Sequence, residues 1–346
     1  MSGSFTGEIS REVGEAEWDA FVLSHPDATG CHIWGWRRVF ERAFGHETVY
    51  LAARREGAIV GVLPLVAFRS WIFGRFMVSL PFVNYGGVLA ADAGARAALV
   101  DAATREAAGR GCRHVELRHT TRQLPALPLK QHKVSMTLEL PPDAGQAWEQ
   151  LDRKVRNQVR KAQKSELTAV VGGRELLDEF YGIFAVNMRD LGTPVYGRAF
   201  FGRVLEEFAA AARVHVVRKG AEPVAAGITI GFRQTVEVPW ASSLRAYRTL
   251  SPNNLLYWSI IEQAIADGRR TLDFGRSTPH EGTYEFKRQW GAVPSPLFWE
   301  YALVTGADVP DQSPANPKFK PAIELWKRLP VPVATAIGPH IVRSIP

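Results

Sequence analysis

The sequence predicts a mixed α/β protein built from two successive domains that share one order of elements. A length of 346 residues suits two domains better than one. The content of 46% hydrophobic and 22% charged residues is typical of a globular chain that can build cores. The main observation is an internal repeat, because a hairpin, a helix and two strands follow one another twice. Such an order predicts mixed sheets with helices on both faces.

Matching hairpins open the two halves of the repeat. Strand-forming runs at 49–53 and 59–65 flank a charged turn that contains glycine. The runs at 214–217 and 224–230 flank a turn of the same kind. Two β-rich runs separated by a short glycine turn predict an antiparallel hairpin in each half.

Helices and final strands complete the repeat. Helical stretches at 95–109 and 251–267 each lead through a glycine into an alternating apolar strand. A last strand is predicted in each half, at 134–140 and 297–303. This order resembles that of the GNAT acyltransferase fold, which implies two tandem GNAT-like domains. The predicted boundaries are 1–140 for the first domain, 141–304 for the second and 305–346 for a proline-rich tail.

Charge and composition narrow the classes of partner. The formal net charge of +7 favours anionic partners. Two cysteines, Cys31 and Cys112, fit a reducing compartment. The longest apolar run, 59–68, is too short for a bilayer, which takes roughly 20 residues. We therefore expect a cytoplasmic protein with an anionic, phosphate-bearing small-molecule or lipid-linked substrate, with no DNA partner and at most peripheral contact with the inner membrane.

Metal and nucleotide motifs are missing from the sequence. The nine histidines show no paired metal-ligand spacing. Neither a P-loop nor a G-x-G-x-x-G stretch occurs. We therefore expect no metal and no tightly bound cofactor, and a donor that arrives as a substrate.

Residues 151–164 predict an amphipathic helix with a cationic ridge. Leu151, Val155 and Val159 form an apolar stripe, and basic side chains recur on the opposite face. One acid, Asp152, does not balance so many cations. A solvated surface helix is the alternative to phosphate binding. The residues predicted to bind phosphates are Arg153, Arg156, Arg160 and Lys161.

Residues 184–201 predict a helix that breaks beside polar groups. Gly192 and Pro194 predict the end of one helix, and a second helix is predicted near Arg198. The polar side chains at the break predict a pocket, and a plain helix corner is the alternative. The candidate residues are Asn187, Asp190 and Tyr196.

The loop before the second repeat's helix departs from the GNAT pattern. In GNAT enzymes this loop reads R/Q-x-x-G-x-G/A, and its backbone amides hold the CoA pyrophosphate. Here Ser251 and Asn253 replace both glycines, and Pro252 removes an amide donor. Ser251 is predicted to cap a helix whose start still attracts anions. Arg248 and Asn254 are candidate substrate-binding residues.

Residues 272–291 combine a strand end with aromatic and cationic side chains. Asp273 lies on the strand, Arg276 follows a glycine, and Lys287 comes after a polar loop. The carboxyl ends of strands often carry sites in such folds, so we predict a catalytic role, with a surface loop as the alternative. The further residues predicted to bind substrate are Trp240, Tyr284, Phe286 and Trp290.

Several of these stretches resemble a known family. Arg156–Lys164 and Tyr284–Lys287 resemble signatures of the Fem-type (FemAB-like) aminoacyl or peptidyl transferases, which consist of two GNAT-like domains. The strings Asn187–Tyr196 and Asp273–Thr278, with the tail from Lys318 to His340, resemble a narrower branch. That branch is associated with the PEP-CTERM/exosortase and exopolysaccharide systems of Gram-negative bacteria. The resemblance covers nearly the whole chain.

The resemblance implies an enzyme that moves an aminoacyl or acyl group onto an amine of a cell-envelope or exopolysaccharide-related acceptor. Fem enzymes take the amino acid from aminoacyl-tRNA, and the lysine of their Phe-Lys pair is thought to stabilise charge near the reacting ester. That pair maps onto Phe286 and Lys287. The chain lacks the coiled-coil insertion that some Fem proteins use with tRNA, which leaves aminoacyl-tRNA and acyl-CoA open as donors.

The expected chemistry assigns roles to four residues. Acyl transfer to an amine passes through a tetrahedral oxyanion, which needs cations or amides directed at it. We expect Lys287 to meet this need with support from Arg276, and Asp190 or Asp273, or the substrate itself, to accept the proton. Two alternatives stay open. One is an acyl-CoA-dependent N-acyltransferase, and the other is a non-catalytic module that binds an anionic precursor, tRNA or a membrane surface.

Overall fold

A computed structural model of the chain describes residues 5–70, 73–304, 309 and 320–345. The elements up to residue 131 are β1 (Glu8–Ser10), α1 (Glu15–Ser24), α2 (Gly35–Phe44), β2 (Glu47–Arg55), β3 (Ala58–Ser70), β4 (Gly74–Val78), β5 (Leu89–Ala90), α3 (Ala93–Gly109), β6 (His114–His119) and β7 (Leu129–Lys130). Those that follow are β8 (Val134–Glu139), α4 (Ala144–Gln150), α5 (Arg153–Lys164), β9 (Leu167–Gly172), α6 (Leu177–Leu191), α7 (Arg198–Glu207), β10 (Ala212–Lys219), β11 (Glu222–Phe232), β12 (Thr235–Ser243), α8 (Pro252–Ala266), β13 (Thr271–Ser277), α9 (Gly282–Gln289), β14 (Val293–Pro296), β15 (Phe298–Leu303), α10 (Lys320–Trp326) and α11 (Val331–Val342).

These elements form two compact units, each with a mixed sheet. The sheet of unit 1 has the strand order β1–β2–β3–β4–β6–β15–β7, with β5 paired to β3. The sheet of unit 2 has the order β14–β8–β13–β12–β11–β10–β9. Each sheet contains a parallel pair, β4 with β6 and β12 with β13. The predicted mixed α/β architecture is confirmed.

The predicted repeat is present in both units. The hairpins are β2–β3 and β10–β11, and both are antiparallel. α3 then leads into β6, and α8 leads into β13. Each helix packs on its own sheet, because Leu99 of α3 and Leu256 of α8 are fully buried in the two cores. In each unit the strand that follows the helix of the repeat is therefore a member of the parallel pair.

The final strand of each repeat pairs with the sheet of the other. β8 lies beside β13 in unit 2, where Leu138 is opposite Leu272. β15 lies beside β6 in unit 1, where Tyr301 is opposite Glu116. Both strands were predicted, but each was assigned to the half that precedes it in sequence. An alternating apolar pattern specifies a strand and its inner face, and it does not specify the neighbouring strand.

Because of this exchange, the boundaries of the two units differ from the domain boundaries that the sequence predicted. The predicted ranges were 1–140, 141–304 and 305–346. In the structure the strand exchange moves residues 132–140 into unit 2 and β15 into unit 1. Unit 1 is formed within Met1–Gln131, Pro296–Pro314 and Arg343–Pro346, and unit 2 within His132–Ser295 and Ala315–Val342.

The tail contains more helix than the sequence suggested. The structure places α10 and α11 in the tail that the sequence describes as proline-rich. Pro332 falls in the first turn of α11, where the missing amide has no intrahelical partner to lose. Lys318 and Phe319, which begin the tail string, lie outside the described residues. Over the part of the chain described here, no helix combines the length and apolarity needed to cross a membrane.

Candidate active site

The two parallel strands of unit 2 pair at one end and separate at the other. Ladder pairing joins Thr235–Glu237 of β12 to Thr271–Asp273 of β13 and goes no further. Beyond that point β12 stays with β11 as far as Ser243, and β13 stays with β8 as far as Ser277. The separation leaves an opening at the carboxyl ends of both strands, where mixed-sheet proteins commonly place ligands.

A bulge in β13 lies at this opening. The register between β13 and β8 shifts between Asp273 and Arg276, and Gly275 has a φ of 73°. That left-handed conformation favours glycine. The buried carboxylate of Asp273 accepts hydrogen bonds from the Gly275 amide at 2.8 Å and from the Ser135 hydroxyl at 3.3 Å. Asp273 therefore fixes the shape of the bulge.

Lys287 reaches the bulge from α9. Its side chain is 7% exposed, and its Nζ donates to the carbonyl oxygens of Gly275 at 3.1 Å and Arg276 at 3.0 Å. Burial lowers the pKa of Lys287 to about 8, although the charge of Asp273 raises it and that of Arg276 lowers it further. A buried lysine with a depressed pKa at a strand end is a candidate for chemistry. The structure thus brings Asp273, Arg276 and Lys287 together.

A further cation, Lys133, was missed by the sequence analysis. It precedes β8, and its Nζ donates to the Thr278 hydroxyl at 2.6 Å. Burial lowers the pKa of Lys133, and Arg276 lowers it further. Ser135, the partner of Asp273, was missed as well. Lys133 precedes β8 and Ser135 lies on it, and the sequence assigned β8 to the first domain. No local pattern therefore connected either residue with Lys287.

The start of α8 lies at the same end of the sheet, because α8 connects β12 to β13. Ser251 precedes α8 with a φ of 60°, and its hydroxyl donates to the side-chain oxygen Oε1 of Gln158 at 2.5 Å instead of capping the helix. Gln158 belongs to α5, so the cationic helix packs against the first turn of α8. Arg248 is exposed, and Asn254 is half-buried within that first turn.

The cationic ridge of α5 has the predicted form. Leu151, Val155 and Val159 are buried. Arg153, Arg160 and Lys161 are exposed, and the Arg160 guanidinium lies over the ring of Trp148 at 5.4 Å. Arg156 is half-buried, and its Nε is buried without a hydrogen-bond partner among the described residues. Such a donor is a candidate for an anionic ligand.

The predicted group on α6 forms a separate cluster. Asn187 donates to the hydroxyl of Ser242, near the separated end of β12, at 3.0 Å. Asp190 pairs with the neighbouring Arg189 at 2.7 Å, and Arg189 also donates to the Leu329 carbonyl. Gly192 ends α6 with a φ of 78°, as the sequence predicted.

The predicted aromatic residues divide into core and rim. Tyr196 lies 5.3 Å from Phe200, measured between ring centroids, and Trp240 lies 5.3 Å from both Phe200 and Phe201. Trp290 is 2% exposed. For both tryptophans this burial favours packing over the binding role expected from the sequence. Closer to the surface, half-buried Tyr284 and Phe286 lie on α9 beside Lys287.

The corresponding position in unit 1 is filled by its own chain. Beyond the parallel pairing of β4 with β6, the Ser79 amide donates to the Glu116 carbonyl at 2.8 Å and the Gly86 amide to the Arg118 carbonyl at 3.1 Å. All residues from 79 to 88 are buried. We therefore place the candidate active site in unit 2.

Sequence comparison agrees with this placement. Residues 150–288 match the family described as the acetyltransferase (GNAT) domain. That range includes α5, the separated strands and Lys287. The chain thus contains a GNAT-type domain, and its two mixed sheets form a tandem GNAT-like fold, which supports an acyltransferase. No curated protein matches the sequence.

Solved structures share the tandem arrangement. FemX superposes with a TM-score of 0.65 at 16% identity, covering 84% of this chain and 96% of FemX. The C-terminal domain of a putative lysylphosphatidylglycerol synthetase from Agrobacterium fabrum gives a TM-score of 0.57 at 13% identity, with coverage of 85% and 92%. A tandem GNAT protein from the clavulanic acid biosynthesis pathway gives 0.53 at 14% identity, with coverage of 85% and 95%. These similarities establish the fold.

Proposed function

We propose that the protein transfers an aminoacyl group onto an amine of a cell-envelope or exopolysaccharide-related acceptor in the cytoplasm. The resemblance of Asn187–Tyr196 and Asp273–Thr278 to the PEP-CTERM/exosortase branch supports this acceptor class. The fold shared with FemX and with a putative lysylphosphatidylglycerol synthetase supports aminoacyl transfer. The single observation that carries the proposal is the buried Lys287 at the opening between β12 and β13.

The amine attacks the carbonyl carbon of the donor ester, and the carbonyl oxygen becomes an oxyanion. An ammonium has three N–H groups, and Lys287 uses two of them on the carbonyls of Gly275 and Arg276. We assign the third to the oxyanion. With a pKa of about 8, Lys287 is about 90% protonated at pH 7.

Collapse of the intermediate breaks the bond to the leaving oxygen. The amine proton passes to that oxygen directly or through a base. The Asp273 carboxylate accepts hydrogen bonds from the Gly275 amide and from the Ser135 hydroxyl of β8, which favours a positioning role for it. Asp190 is held by Arg189 on α6. Because both carboxylates are engaged in these contacts, we expect the substrate itself to assist the removal of the proton from the attacking amine.

The first turn of α8 favours an aminoacyl ester over a CoA thioester as donor. A CoA pyrophosphate needs several backbone amides at this position. Here Pro252 has none, the Ser251 amide donates to Arg248, and the Asn254 amide donates to Ser251. The cations of α5 remain as the principal anion-binding groups. An acyl-CoA-dependent enzyme is the second candidate, supported by the match to an acetyltransferase family.

Thermal unfolding of the full chain distinguishes these donors. A ligand that binds the native state stabilises it by about 2.7 kcal/mol at 100 times its Kd. We expect aminoacyl-tRNA to raise the melting temperature by several degrees and acetyl-CoA to leave it unchanged. Deacylated tRNA and free CoA serve as controls. A rise with acetyl-CoA alone would replace the aminoacyl proposal with the acyl-CoA one.

The ridge of α5 is expected to contribute to donor binding. Replacing Arg156 and Arg160 with Ala removes two charge-assisted contacts to phosphates. We expect KM for the donor to rise about tenfold or more while kcat changes little. The control is Lys164→Ala at the exposed end of the same helix. An unchanged KM in the double variant, measured by steady-state kinetics, would show that α5 is only a solvated surface.

A further inference from the structure

α11 is a mostly apolar helix at the surface, with Thr335 and the exposed His340 as its polar side chains. Its sequence, VPVATAIGPHIV, contains no acidic residue and no lysine or arginine. The buried face carries Ala334, Gly338 and Val342. On the opposite face Val333 is 42% exposed and Ile337 is 41% exposed. Exposed apolar side chains that lie together on a helix often mark a surface that contacts a partner or a membrane.

Close packing holds α11 in this orientation. A Cβ at Gly338 would lie 2.9 Å from the Val195 amide nitrogen, so only glycine allows the two backbones to approach so closely. A Cβ at Gly197 would meet Pro339 at 3.6 Å. The close contacts at Gly338 and Pro339 therefore leave the opposite face of α11, with Val333 and Ile337, directed outward.

α10 and the end of α6 carry further exposed apolar side chains. A Cβ at Gly192 would meet the side chain of Ile323, and Arg189 donates to the Leu329 carbonyl, so α10 and the turn after it are anchored at the end of α6. On these elements Leu325 is 66% exposed and Leu191 is 59% exposed. We name the exposed Leu191, Leu325, Val333 and Ile337 the C-terminal apolar surface.

Basic side chains accompany this surface. The sequence from 320 to 342 contains Lys320, Lys327 and Arg328 and one carboxylate, Glu324. That carboxylate is paired with Lys327 at 2.7 Å. Exposed apolar side chains among unbalanced cations match the two components of an anionic membrane surface, the acyl boundary and the phosphates.

We propose that the C-terminal apolar surface docks on an anionic phospholipid membrane. Docking would need only shallow insertion, about 5–10 Å. A second copy of the chain fits less well, because a stable protein interface takes roughly 20–30 residues a side. A symmetric contact would also place the cations of one copy near those of the other. This proposal goes beyond the transfer reaction and does not depend on it.

Vesicle flotation of the full chain tests the proposal. We expect binding to vesicles of phosphatidylcholine with phosphatidylglycerol, much weaker binding to phosphatidylcholine alone, and release as salt is raised. Replacing Val333 and Ile337 with Asp is expected to weaken partitioning about tenfold or more, because two apolar anchors are lost. The matched control is Leu23→Asp on α1, whose side chain is 56% exposed in unit 1.

Three results would overturn the proposal. The first is no flotation with the anionic vesicles at low salt. The second is undiminished binding by the V333D/I337D variant with loss of binding in an R153E/K161E variant, which would assign the contact to α5. The third is a dimer on size-exclusion chromatography that V333D/I337D splits, which would identify a second copy as the occupant. Melting temperatures confirm that each variant folds, and Lys287→Ala is expected to bind vesicles like the wild type.

Discussion

Lys287→Ala is expected to lower kcat by about 100- to 1000-fold, the usual loss on removing one oxyanion donor. The structure supplies the reason. The ammonium is buried, is held by two carbonyls of the β13 bulge and lies at the opening where β12 and β13 separate. The measurement is single-turnover transfer with the donor that stabilises the protein. A melting temperature close to that of the wild type would show that the loss is chemical.

Two further variants and a pH profile test whether the loss of turnover is specific to the ammonium of Lys287. Arg288 is the next residue on α9, is exposed and lies 3.8 Å from Glu285, so Arg288→Ala should change turnover by less than about twofold. In the wild type, kcat/KM should fall above pH 8, since the pKa of Lys287 is about 8. In Lys287→Arg that fall should move to higher pH, because a guanidinium stays charged. Full turnover in Lys287→Ala would exclude the assigned role.

Lys287 also makes the free energy of unfolding depend on pH, an effect that can be measured without substrate. The pKa of Lys287 is lower in the folded chain than in the unfolded chain, so unfolding takes up a proton between pH of about 8 and about 10. Over that window this lysine makes the free energy of unfolding rise with pH, by at most about 1.4 kcal/mol per unit. Lys287→Ala should lack this component in urea unfolding.

Glu300→Ala is expected to destabilise unit 1 by several kcal/mol, because each buried donor left without an acceptor costs about 1–3 kcal/mol. The Glu300 side chain is fully buried and accepts from His119 Nδ1 at 2.7 Å, the Leu124 amide at 2.7 Å and the Gln123 amide at 3.2 Å. His119 Nε2 accepts from the Val88 amide, so its proton is on Nδ1. Truncation leaves three donors without their acceptor.

Chemical unfolding followed by circular dichroism measures this loss. The control is Glu139→Ala on the exposed side of β8, expected to cost less than about 0.5 kcal/mol. Glu300→Gln keeps a carbonyl acceptor and should lose less than Glu300→Ala. Equal stability of wild type and Glu300→Ala would mean that the buried network contributes nothing to unit 1.

The repeat was readable from the sequence because hairpins and helices leave local patterns. The apolar spacing of α5 and the glycine at 192 located their elements within a few residues. The grouping of Asp273, Arg276 and Lys287 was also readable, since all three lie in one short segment. Lys133 and Ser135 were not, because they reach the site through a strand pairing across a long sequence separation. Pairing of that kind depends on tertiary packing and leaves no periodic signal.

The exchange of β8 and β15 sets the order in which the sheets are completed during synthesis. A ribosome releases the chain from its N-terminus, and N-terminal domains generally fold first. Here every strand described in unit 2 has been made by residue 296, whereas unit 1 still lacks β15 between β6 and β7. Until then the edge of β6 stays open, and open edges recruit other strands. The nascent chain therefore finishes its second sheet before its first, and a chaperone that shields β6 during this interval would raise the yield of folded protein.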